Sequence, residues 1–139
     1  MKKYILILLL CAAGTALSQA QETKTPEQRE KELYEAIQTQ VDKLTESLEL
    51  EGWQTFYVDS ILTHDYNALQ AELASLAASK VSNSDLFYDV QDKWMEQIYQ
   101  SLHKVFNEDQ WNKYLKSGAQ RDKKARDKRA SKKQNQAGK

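Results

Sequence analysis

The chain has 139 residues, 40% hydrophobic and 29% charged, with 20 basic and 20 acidic side chains and no formal net charge. That length suits one small domain, and the balance excludes a uniformly basic nucleic-acid binder and a strongly acidic solvating chain. Four glycines and one proline exclude collagen-like and turn-dense β chains, and a single cysteine excludes a disulfide scaffold or a cysteine-based zinc site.

The chain opens with an export address. Met1-Lys2-Lys3 is a positive n-region, Tyr4 to Ala13 an apolar h-region, and Ser18-Gln19-Ala20 a small-x-small cleavage site. The alternative is a membrane anchor, but that needs about twenty apolar residues. Lipidation at Cys11 is disfavoured, because Leu10 stands where the lipidating peptidase takes a small residue. Cleavage after Ala20 leaves residues 21–139, with no cysteine and no transmembrane segment. That fits an oxidising compartment.

From Trp53 to Ser117 there is no Gly or Pro, so the chain reads as all-α. A strand over Thr55 to Leu62 is the β alternative. Helix one starts at Thr25, with Pro26 at N1 and Gln28 completing a capping box. Its apolar stripe is Leu33, Ile37, Val41, Leu44 and Leu48, and Gly52 breaks it.

Helix two runs from about Trp53 to Ser79. Its stripe is Val58, Leu62, Tyr66, Leu69, Leu73 and Leu76, widened by Trp53, Tyr57 and Ile61. Helix three is capped by Ser82 or Ser84 and carries Phe87, Val90, Trp94, Ile98, Leu102 and Val105. Asn107 and Gln110 form a further capping box and open helix four, with Trp111, Tyr114 and Leu115. Gly118 either ends that helix or lets it run on. Helices two and three should form a long antiparallel hairpin, with helices one and four folded over it.

The domain plan is a signal peptide at 1–20, a helical domain at 21–118 and a basic low-complexity tail at 119–139. Arg121 to Lys139 holds nine basic and two acidic residues, a net of +7, while Gln21 to Gln120 holds nine basic and eighteen acidic, a net of −9. The tail has no large apolar residue and cannot join a core. It reads as a mobile segment, as an arm for an anionic partner such as an envelope surface through Arg121, Lys123, Lys124, Arg126, Lys128, Arg129, Lys132 and Lys133, or as an arm folded back on its own acidic body.

Catalysis has little support: there is no nucleophile–base order and no phosphate-cradling loop. No catalytic residue, cofactor or metal site is assigned. His64, Asp65 and His103 make a poor zinc set, and pairs such as Asp89 and Asp92 or Glu49 and Glu51 read as solvated helix faces. Eleven aromatics lie between Trp53 and Tyr114. Most sit on the stripes. Phe56, Tyr57, Tyr88 and Tyr99 are the candidate surface for a client or a second subunit.

Two helix starts carry a resemblance. Leu50-Glu51-Gly52-Trp53-Gln54 and Phe106-Asn107-Glu108-Asp109-Gln110 look like copies of Leu-Thr-x-x-Gln, with Leu50, Gln54, Phe106, Asn107 and Gln110 as the motif residues. In physical terms, an apolar residue packs back on the helix, a cap follows, and Gln reaches back to the cap amide. Glu51 and Asn107 replace Thr, and Phe106 replaces Leu. Two such starts in a small signal-bearing helical chain resemble the Spy/CpxP family of periplasmic stress proteins. The other reading is ordinary capping boxes in an unrelated helical protein.

The resemblance implies a bent helical hairpin that dimerises into a cradle. It implies a periplasmic protein that holds unfolded or envelope protein clients without ATP, or senses envelope stress. The His-rich metal segments of some relatives are absent here. The second reading is a non-catalytic envelope interaction module that binds anionic partners through its tail. Nucleic acid is disfavoured by the expected compartment.

Overall fold

A computed structural model describes residues 24–80 and 82–138. The signal segment and Cys11 lie outside the described residues. The fold is all-α: α1 (Pro26–Leu48), α2 (Gly52–Ala78), α3 (Ser84–Val105), α4 (Glu108–Tyr114) and α5 (Gln120–Ala137). Among the described residues no helix is long and apolar enough to cross a membrane.

Local chemistry sets the boundaries. Thr25 Oγ1 accepts from the Gln28 amide at 3.2 Å, and Gln28 Oε1 accepts from the Thr25 amide at 2.9 Å, so the expected capping box forms. The stop of α1 comes earlier than Gly52. Glu49 takes a left-handed conformation (φ 53°), the Leu50 amide donates to Thr45 O at 3.0 Å, and Glu49 N–H donates to Glu46 O. That is a Schellman stop built without glycine. Gly52 is instead the first residue of α2.

The cap of α3 is Asn83, whose Oδ1 accepts from the Asp85 amide at 2.9 Å, rather than Ser82 or Ser84. After α4 the backbone kinks at Gly118 (φ 124°), a conformation that strains any residue with a Cβ. The tail beyond it continues as helix to Ala137.

α1 runs antiparallel to α2, tied by Gln38 to Asp59 at 2.9 Å and by the Thr45 and Thr55 hydroxyls at 3.1 Å. α3 returns antiparallel along α2, with Gln97 Nε2 donating to Asp65 at 3.1 Å and Lys93 donating to Glu72 at 2.7 Å. One core joins Ile37, Val41, Leu44 and Leu48 of α1, Val58 and Leu62 of α2, and Ile98, Leu102 and Phe106 at the end of α3. It therefore sits at the end of the hairpin nearest α4. Trp111, Tyr114, Leu50 and Met95 pack around it.

Candidate functional site

The two motif glutamines meet at the core end of the hairpin. Gln54 lies in the first turn of α2 and Gln110 in the first turn of α4, and both are buried. Gln54 Nε2 donates to Gln110 Oε1 at 2.7 Å, and Gln110 Nε2 donates back to Gln54 Oε1 at 3.0 Å. Each Oε1 also accepts a helix-start amide at 3.0 Å, Glu51 N–H for Gln54 and Asn107 N–H for Gln110. Gln54 Nε2 further donates to Val105 O at 3.0 Å, which satisfies a carbonyl at the last turn of α3. One amide pair thus stitches the starts of α2 and α4 to the end of α3.

The other motif residues support this node. Asn107 Oδ1 accepts from the Gln110 amide at 2.9 Å, Phe106 is buried in the core, and Leu50 is half-buried against it. No buried side-chain polar atom among the described residues lacks a hydrogen-bond partner.

Beside the node, three aromatic rings face outward. Trp53 is 54% exposed, Phe56 67% and Tyr57 52%. Tyr57 makes edge contacts with both neighbours, at ring centroids 6.2 Å from Trp53 and 5.8 Å from Phe56. The Trp53 indole N–H donates to Glu51 Oε2 at 2.6 Å, which holds its ring beside a carboxylate. The cluster forms because α1 and α3 cover the Val58 side of α2. At about 100° per residue, Trp53 lies roughly 140° round the helix from Val58.

The four expected surface aromatics divide. Phe56 and Tyr57 belong to the patch, and Trp53, read from sequence as part of the inner stripe, joins them. Tyr88 is exposed but sits towards the far end of the hairpin, beyond the Lys93–Glu72 pair. Tyr99 is half-buried: Trp111 lies edge-on at 4.8 Å, and Lys123 and Arg126 of α5 lie over its ring.

The basic tail is docked rather than mobile. Arg126 binds Glu96 at 3.2 Å, Arg129 binds Asp92 with two hydrogen bonds of 2.6 and 2.7 Å, and Lys133 binds Asp89. Lys123 reaches Glu96 at 3.3 Å and Asp127 at 2.5 Å. Burial raises the Glu96 carboxyl, but hydrogen bonds from Gln100, Arg126 and Lys123 outweigh it and leave the group below its ordinary value. The hydrogen bond to Asp127 raises Lys123, and the one to Asp92 raises Arg129. Arg121 pairs with its neighbour Asp122, and no ion pair is recorded for Lys124, Lys128 or Lys132 among the described residues.

The histidines serve other contacts. His64 Nδ1 lies 2.8 Å from the buried Asp65 carboxylate, and His103 stacks on Trp111 at 4.1 Å. Among the described residues no three His, Cys, Asp or Glu converge as a metal set. No family model, no curated protein and no solved structure matches the chain.

Proposed function

We propose that the protein is an exported, non-catalytic binding protein of the Spy/CpxP type, which holds apolar segments of unfolded or envelope protein clients without ATP. The observation that carries this reading is the exposed cluster of Trp53, Phe56 and Tyr57. Three aromatic side chains exposed by about half amount to roughly 300 Å². That is about half of the ~600 Å² per partner at the low end of stable protein–protein interfaces, so a cradle-forming dimer would need further area. It suits brief capture of a short apolar stretch.

The glutamine node supports the same reading. It fixes the start of α2, so the rings are presented on a rigid turn. The backbone that carries them is thus ordered before a client arrives.

Light scattering of an unfolding model client tests the reading. The chain, without ATP, is expected to delay aggregation in proportion to its concentration. No delay at several-fold excess contradicts it.

A further inference from the structure

The tail helix has two cationic faces, and only one is used. Lys123, Arg126, Arg129 and Lys133 turn inward to the α3 carboxylates Asp89, Asp92 and Glu96. Lys124, Lys128 and Lys132 are exposed and recur every four residues, so they form one row along the opposite side. That row is roughly 12 Å long at 1.5 Å per residue.

We infer that the Lys124, Lys128 and Lys132 row is a docking face for an anionic lipid surface, presented while α5 stays clamped to α3. Three features choose this occupant. First, the lysines stand on the open side of a helix, with no converging groups to cradle a small anion. A flat, repeating array of negative headgroups meets all three at once. Second, the face has no large apolar residue, since α5 reads QRDKKARDKRASKKQNQA. Contact therefore stays at headgroup depth. Third, the row consists of lysines, which act as hydrated point charges, and α5 has no aromatic on which a base could stack. The arginine forks of Arg126 and Arg129 are already spent on carboxylates.

The inward clamp is necessary to the proposal. Asp89, Asp92 and Glu96 would repel an anionic surface if bare, and α5 neutralises them while turning its second face outward. This inference rests on the tail and stands apart from the aromatic cluster on α2.

The test is co-sedimentation of the full chain with vesicles, of zwitterionic lipid alone or containing about one-third anionic lipid, at low salt. The chain should bind only the anionic vesicles. The variant Lys124→Gln/Lys128→Gln/Lys132→Gln should bind roughly a hundredfold more weakly, at about a kilocalorie lost per lysine. Its helicity should equal the parent's, because Gln and Lys have similar helix propensity. Lys31→Gln/Lys43→Gln/Lys104→Gln removes the same charge from exposed positions off α5, leaves the clamp intact and should retain most of the binding. Equal losses in the two variants would show that only net charge matters and would overturn the inference. So would absence of vesicle binding, or equally tight binding to inorganic polyphosphate or duplex DNA.

Discussion

Gln54 and Gln110, on different helices and 56 positions apart, exchange side-chain hydrogen bonds in both directions while each also caps its own helix. Each carboxamide oxygen accepts one bond from its partner and one from a backbone amide. Removing Gln54 leaves Gln110 Nε2 without a partner, and removing Gln110 leaves one N–H of Gln54 Nε2 and the Asn107 amide without theirs. Replacing Gln110 with Leu should therefore cost about 1–3 kcal/mol in urea unfolding. Replacing both should cost less than the two single losses added, because the second change removes a group already short of a partner. Strict additivity would show that the two side chains do not act as a pair.

The left-handed Glu49 gives a prediction of opposite sign. A residue with a Cβ pays roughly 1 kcal/mol in this conformation, and glycine does not. Glu49→Gly should raise the unfolding midpoint. Gly52 is helical, and a Cβ there would meet nothing within 4 Å. Gly52→Ala should also stabilise, by about 0.4–1 kcal/mol. Destabilisation by either would contradict the boundary described above.

The local boundaries were legible in sequence, and the long-range ones were not. Thr25, Pro26 and Gln28 announce α1 because a capping box is written within four residues. Ser82, Asn83 and Ser84 are all capping types, so composition alone could not choose Asn83. The Gln54–Gln110 pair was invisible as a pair, although each glutamine was readable as a helix-start signal. Trp53 was misjudged because an amphipathic stripe shows which side is apolar, not how far neighbouring helices reach around it. The tail carried a signal that was passed over. Asp89, Asp92 and Glu96 are spaced by three and four, and so are Arg126, Arg129 and Lys133. Helix-spaced rows of opposite charge already allow a clamp between the two helices, although the antiparallel direction shows only in the pairing of Glu96 with Arg126 and Asp89 with Lys133.

That clamp should be sensitive to salt. Its pairs run from half-buried, Arg126 with Glu96, to exposed, Lys133 with Asp89, and exposed pairs contribute about 0.2–1 kcal/mol each. At about 1 M salt, where the Debye length falls to ~3 Å, hydrogen-exchange protection in α5 should vanish while the Val58–Leu102 core stays protected. Protection of α5 that survives high salt would mean that packing, not charge, holds it.

The same clamp should open in acid but not at neutral pH. Glu96 lies below its ordinary value of 4.5 in the folded chain. Its contribution is complete above that value and is lost as pH falls through the lower folded value. A distance probe between α3 and α5 should therefore be flat from pH 8 to about 5.5 and change only below about 4.5. A change centred near pH 6.5 would implicate another group.

Burial pushes the Tyr114 hydroxyl up from 10.0 to about 12, and burial also raises Tyr66. A raised tyrosine stabilises the fold fully below its unfolded value and loses that contribution as pH rises between 10.0 and about 12. Spectrophotometric titration should show part of the tyrosine absorbance change delayed beyond that of the exposed tyrosines. Tyr114→Phe should shrink the delayed fraction. Ionisation of all tyrosines in one step would contradict the burial described.

The most direct measurement compares aggregation suppression by the parent chain with that of Trp53→Ala/Phe56→Ala/Tyr57→Ala. These rings are largely exposed, so the variant should keep the parent's helicity and lose little stability. The account predicts that it loses most of the suppression, while Tyr88→Ala on the far end of α3 keeps it. A triple variant that remains folded and suppresses aggregation as well as the parent would contradict the assignment of this cluster as the client-holding surface.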